Sequence, residues 1–204
     1  MPRQTSRGRP YNDDVLLKAE LDYITQTAFQ ANEDRARVSS FYLVAVGSLV
    51  AAVFSTQLAD RNFDTALIAG AFSVLFLVLT ILGTLTTLQL ARLRAAWHDS
   101  MRAMNQLKDY WLRQSNDKNL KLAFRWDTDT LPKKYKPNSV SYLQTVEVAL
   151  LSGFTLGAGV YFAQQAIGYH CPTCNGAYAV SIGAMGMLLQ LFLYKRSLGD
   201  AHAS

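Results

Sequence analysis

A chain of 204 residues that is 50% apolar, 17% charged and carries a net charge of +5 is far too apolar to be disordered and long enough for one soluble domain. Its apolar residues, however, are gathered into four long charge-free runs, and that distribution excludes a single soluble core. The basic excess flanks those runs and no RNA- or DNA-reading motif accompanies it, which excludes a nucleic-acid partner and fits anionic lipid.

The runs are Val38 to Ala59, Thr65 to Ala91, Val148 to Tyr169 and Asn175 to Tyr194. Each is about 20 residues or more, the length that a hydrocarbon core of about 30 Å demands of a helix. The expected fold is all-α: a polytopic membrane protein with four transmembrane helices. Of the 20 Lys and Arg, only Arg61 falls between the first and second runs or between the third and fourth. The positive-inside rule then puts both termini in the cytoplasm of a multi-pass protein.

In chain order, residues 1–11 contain Arg3, Arg7, Arg9 and two prolines with almost nothing apolar, which predicts a disordered basic tail. The first 37 residues are polar, so the expectation is no cleavable signal peptide and a first span that acts as an uncleaved anchor. Asn12, Asp13 and Asp14 supply an N-cap and first-turn acids. Leu17, Leu21, Ile24, Ala28 and Ala31 then follow at four- and three-residue steps, an amphipathic helix with a narrow apolar seam. No Pro or Gly separates this helix from the first span, so one helix is expected from about Asp13 to about Ala59. Asp60 to Asp64 can only be a tight outer turn, which makes the first two helices antiparallel neighbours.

Thr65 to Gln114 reads as a second unbroken helix, a span to Ala91 and a water-exposed stalk from Arg92. Along the stalk Leu93, Trp97, Met101, Met104, Leu107 and Trp111 recur at helical steps between charged residues. The two cytoplasmic stalks are expected to zip together as a coiled-coil-like pair, or to bind a cytoplasmic protein partner. Small residues recur at four-residue steps in the spans, Gly47 with Ala51, Ser48 with Ala52, Ala66 with Gly70, and Gly153 with Gly157. They permit close helix contact, either inside one bundle or between copies of a homo-oligomer.

Residues 115–141 form the one long link. Leu120, Leu122, Phe124 and Trp126 alternate, acids follow, and Leu131 to Pro137 carries Lys133, Lys134, Tyr135 and Lys136. A lone strand without a partner is disfavoured. The segment is either interfacial, with Trp126, Tyr135 and the lysines at headgroup depth, or a cytosolic docking loop. Residues 142–196 are expected as a hairpin of two spans, with Asn138 or Ser139 capping the third. Glu147 is either an interfacial side chain reaching water or a titratable group on an aqueous path. Gly199 begins a short tail. Gln57, Thr80, Thr84, Thr86, Thr87, Gln89, Gln164, Gln165 and Gln190 are read as crowding the span ends rather than the midplane, which disfavours an ion transporter.

The only cysteines, Cys171 and Cys174, form a CxxC in the second outer link, where a disulfide is allowed. Cys174 near a helix N-terminus would have its thiolate favoured. The pair is either a structural disulfide or a redox group. The Cys171, Cys174 and Tyr178 spacing resembles vitamin K epoxide reductases, four-helix membrane enzymes. That resemblance implies quinone reduction by the CxxC with the tyrosine touching the quinone. Zinc at His170, Cys171 and Cys174 would have three nearby ligands where a structural site wants four, so no metal is expected. No phosphate-binding glycine loop, nucleophile elbow or HExxH occurs, so neither a cofactor nor a catalytic constellation is expected apart from the cysteines.

Tyr23 to Phe54 contains Ala31-Asn32-Glu33-Asp34-Arg35-Ala36-Arg37 running into Phe41-Tyr42 and an apolar span, followed by a short hairpin and a second stalk. Over about residues 13–114 this layout resembles the SLATT group of bacterial membrane proteins. The resemblance implies a signal- or defence-linked effector of the bacterial inner membrane that oligomerises and perturbs the bilayer, or forms a channel-like assembly. A structural subunit of a larger membrane complex is the remaining reading.

Overall fold

The computed structural model describes residues 10–58, 65–114, 128, 130–169 and 172–199, and among them the chain is helical with no strand. The helices are α1 (Pro10–Leu58), α2 (Thr65–Gln114), α3 (Val140–Ala166) and α4 (Pro172–Gly199). All four are long and apolar enough to cross a membrane. At 1.5 Å per residue, α1 and α2 are each roughly 75 Å long, more than twice the hydrocarbon thickness. Both therefore continue well beyond any span they contribute.

The basic tail of residues 1–9, the outer turn at 59–64, most of the link from 115 to 127 with Trp126, and His170, Cys171 and the last five residues lie outside the described residues.

The second helix has the limits the sequence predicts. α1 begins earlier than predicted, at Pro10, whose fixed φ suits a first helical position, so the Asn12–Asp14 group falls in the first turn rather than at the cap. At α3, Asn138 takes the left-handed conformation with φ 62°, and Ser139 is the cap, its Oγ accepting from Tyr142 N at 3.3 Å. The third helix stops at Ala166, three residues short of the end of the apolar run. Ile167 N donates to the Ala163 carbonyl, and Gly168, with φ 73°, reverses the chain where a side chain would be strained. Cys174, expected in a link, is helical because α4 starts at Pro172. At its other end α4 runs to Gly199, so that residue closes the helix instead of opening the tail.

The chain divides into two compact units. One comprises residues 33–95 and 134–204 and holds the apolar core. Tyr42 and Val46 of α1 pack with Leu79 and Leu90 of α2 and Val148 of α3. Further along, Val53 packs with Phe72 and Phe76, and Phe162 stacks on Phe76 with ring centroids 5.7 Å apart. Rising numbers on α1 meet falling numbers on α2, so these two segments run antiparallel here. A third cluster joins Ala91, Tyr194 and Leu198.

Glycine brings α3 and α4 together: a Cβ added to Gly153 would lie 2.7 Å from the Gly183 carbonyl oxygen, and one on Gly157 would lie 2.9 Å from that of Ala179. The backbones thus touch where the small residues fall.

The other unit, residues 1–32 and 96–133, contains the stalk segments. Ile24, Ala28 and Ala31 are buried as the seam predicts, with Leu17 and Leu21 half-buried. On α2 the expected stripe of Trp97, Met101, Met104, Leu107 and Trp111 is only half-buried, and the fully buried positions are His98 and Asn105, one residue further along the same pattern. Trp97, Met101, Met104 and Trp111 flank that buried line, which is occupied by the shorter polar side chains of His98 and Asn105. Asn105 Oδ1 accepts from Lys108 Nζ at 3.4 Å.

Candidate functional site

Three places in the larger unit concentrate polar groups on an otherwise apolar scaffold. The first is inside the bundle. Gln190 Nε2 on α4 donates to Ser152 Oγ on α3 at 2.6 Å and to Thr84 Oγ1 on α2 at 3.1 Å, and its Oε1 accepts from Thr87 Oγ1 at 3.4 Å. Ser152 Oγ donates in turn to the Thr80 carbonyl at 3.2 Å, and the Thr80 and Thr155 hydroxyls pair at 3.0 Å. The phenol of Tyr42 on α1 reaches the same place, where Gly83 leaves room for it: a Cβ there would lie 2.5 Å from Tyr42 Oη. That oxygen is buried without a hydrogen-bond partner among the described residues. The cluster therefore draws on all four helices and carries no formal charge.

Thr84, Thr87 and Gln190 fall in the latter part of their runs, as expected, but they turn into the bundle, and Thr80 does not sit at a span end. Thr80 lies near the middle of the run from Thr65 to Ala91, and Thr155 near the middle of the third run. Thr80, Thr84 and Thr155 donate to carbonyls of the preceding turn in their own helices, at Phe76, Thr80 and Ser152, and their hydroxyls also meet partners on other helices.

The second place is the end of this unit that holds the link to α3. Arg35 and Arg94 are both buried, at 6% and 7% exposure. Burial, and then the neighbouring Arg94 guanidinium, push the Arg35 pKa below its ordinary value; burial does the same to Arg94. Arg94 Nε donates to the Lys134 carbonyl at 3.2 Å, pinning the link. Tyr135 packs edge-on to Tyr142, and Lys195 Nζ lies 5.8 Å from the Tyr135 ring centroid. Of the expected interfacial lysines, Lys133 and Lys136 are exposed and Lys134 is half-buried. Glu147 is exposed, as an interfacial side chain would be.

The third place is the α3–α4 turn, where Gln164, Ile167, Tyr169, Cys174, Asn175 and Tyr178 line a cavity of about 340 Å³. Cys174 and Tyr178, paired by their spacing in the sequence, both line this cavity and both are exposed; Cys171 lies outside the described residues. Asn175 is 1% exposed, and its Nδ2 donates to the Tyr169 carbonyl at 2.8 Å. Its Oδ1 and the Gln164 Oε1 are buried with no hydrogen-bond partner among the described residues. The CxxC spacing points to this turn, whereas in the sequence Gln164 reads only as one of the polar residues at span ends and Asn175 only as the start of a run. Among the described residues no cluster of His, Cys, Asp or Glu could hold a metal ion.

The expected packing glycines separate into two classes. Gly153 and Gly157 are used inside the bundle, and Gly70 has Ala166 Cβ at ordinary contact distance. Gly47 has nothing within 4 Å of where its Cβ would be, and Ser48, Ala51 and Ala52 beside it are exposed. Gly83 and Gly183 are equally tight and lie outside the expected pairs. Comparison with protein-family models, curated proteins and solved structures finds no match.

Proposed function

We propose that this chain is a multi-pass membrane protein that assembles into a homo-oligomer through α1 and acts as a signal- or defence-linked membrane effector or channel-like assembly. The observation that carries the reading is the small-residue face of Gly47, Ser48, Ala51 and Ala52. It sits in a charge-free run, is exposed, and is left unused by the chain's own packing. In lipid, where helix association depends on close backbone approach rather than on burial from water, such a face favours a helix of another copy. The uncharged interior agrees with a bundle that serves as a rigid building block rather than as the ion path itself.

Native mass spectrometry of the detergent-extracted chain tests the assembly, with Gly47→Leu and Ala51→Leu expected to shift the population toward monomer. Membrane potential and growth of cells producing the chain, compared with a Leu21→Asp stalk variant, test the effector activity. A chain that is monomeric in every detergent and harmless under every trigger overturns the reading.

The meeting of Cys174 and Tyr178 at one cavity favours a second reading, a thiol-disulfide oxidoreductase. There, two thiols of Cys171 and Cys174 would close to a disulfide while two electrons and two protons pass to a quinone. Quinone-dependent turnover that persists after both cysteines are replaced by Ser removes it.

A further inference from the structure

We propose that the end of the bundle where the link meets α3 is a binding surface for the phosphate of an anionic phospholipid headgroup. This surface is distinct from the α1 seam and from the cysteines, and it joins residues of α2 and α4 to the lysines of the link.

Cations from three separate parts of the chain converge here. Ala91 of α2 packs with Tyr194 and Leu198 of α4, and Ala95, Tyr135 and Tyr142 pack against that cluster. Arg92, next to Ala91, is exposed, as are Lys195 and Arg196, which follow Tyr194, and Lys133 and Lys136 of the link. Two contacts hold the link to this end: Arg94 Nε donates to the Lys134 carbonyl at 3.2 Å, and Lys195 Nζ lies 5.8 Å from the Tyr135 ring centroid. No Asp or Glu occurs in residues 88–95, 131–146 or 190–199, so the charge these segments carry is of one sign.

Two further cations stand behind the exposed ones. Arg35 and Arg94 are 6% and 7% exposed, and burial, then the Arg94 guanidinium, hold the Arg35 pKa below its ordinary value, as expected of like charges brought near each other. Charge held away from water is screened little by salt, so the pair raises the positive potential over this end without having to touch a ligand. Depth decides the source of the anion. Arg92 follows the last residue of the second apolar run and Lys195 the last residue of the fourth, which sets both at the headgroups of one leaflet, beside lipid phosphate. Tyr135, Tyr142 and Tyr194 stack in sequence at the same level, as aromatic residues do at a membrane interface. A soluble phosphate meets the same charges but has no acyl chains to keep it there.

The test uses the full chain, purified in detergent and stripped of lipid, with native mass spectrometry reading retention of added lipids. Phosphatidylglycerol, which is anionic, is compared with phosphatidylethanolamine of the same acyl chains, which has the same phosphate but no net charge. Retention of the anionic lipid is expected to exceed that of the other by roughly fivefold or more, the worth of one basic side chain near an anionic surface. Lys136→Gln combined with Lys195→Gln should bring the two lipids close to equality. Arg102→Gln combined with Arg113→Gln, exposed residues of the stalk whose loss lowers the net charge equally, should leave the preference intact. Equal retention of the two lipids by the native chain, or a preference that the Lys136 and Lys195 variant leaves unchanged, overturns the proposal. So does an equal fall in both double variants, which would assign the preference to overall charge. Displacement of bound phosphatidylglycerol by inorganic phosphate overturns it as well, since the surface would then serve a soluble anion.

Discussion

Gln190 and Ser152, on different helices and 38 residues apart, meet through a 2.6 Å hydrogen bond at the centre of a network that also takes in Thr84, Thr87 and Thr80. Losing either partner removes this bond from an apolar interior, although Ser152 Oγ and Thr84 Oγ1 each keep an acceptor in the Thr80 carbonyl. Gln190→Leu and Ser152→Ala should each lower the thermal midpoint in detergent, at a cost of about 1–2 kcal/mol. The double variant should cost clearly less than the sum of the two, and strict additivity would show that the bond contributes nothing.

Gly83 faces Tyr42, and a Cβ at that position would lie 2.6 Å from Ser152 Oγ as well as 2.5 Å from the phenol oxygen. Gly83→Ala should therefore overpack the bundle, at a cost of about 1–3 kcal/mol. Tyr42→Phe removes a buried hydroxyl that has no hydrogen-bond partner among the described residues, so by itself it should be neutral or stabilising. Combined with Gly83→Ala, it should restore part of the loss. Thermal unfolding followed by circular dichroism would decide both points.

At the α3–α4 contact the obstacle is backbone rather than a flexible side chain. A Cβ on Gly183 would lie 2.6 Å from the Gly153 carbonyl oxygen, so Gly183→Val should force the two helices apart. The expected result is a drop in thermal midpoint larger than that of Gly47→Val, whose Cβ meets nothing. Equal effects at the two glycines would contradict the packing.

Arg94 holds the link through the Lys134 carbonyl. Arg94→Met should loosen that attachment and increase tryptic cleavage after Lys133 and Lys134 several-fold in the purified protein, with Lys136 protected in both forms by the following Pro137. Limited proteolysis read by mass spectrometry would show it, and an unchanged cleavage rate would mean that the link is held by other contacts.

The four helices, though not all of their ends, were legible in the sequence because helix formation depends on short-range quantities. Thr65 to Gln114 contains no proline and α2 covers those same residues; Ser139 caps α3 because a hydroxyl there can take the Tyr142 N–H. The candidate site was legible only in outline. The cysteine spacing pointed to the α3–α4 turn, yet the buried amides of Gln164 and Asn175 looked like any other polar residues at a span end.

What the sequence determined by itself is the set of four apolar runs and the long helices that carry two of them past any bilayer, since chain length, charge and backbone hydrogen bonding decide these locally. Tertiary structure alone decided how each helix is turned about its axis. Runs that are apolar on every side leave that rotation open, and even on the amphipathic stalk packing put His98 rather than Trp97 on the buried line. Only packing could bring Gln190 to Ser152 and leave Gly47 outside while Gly153 went in.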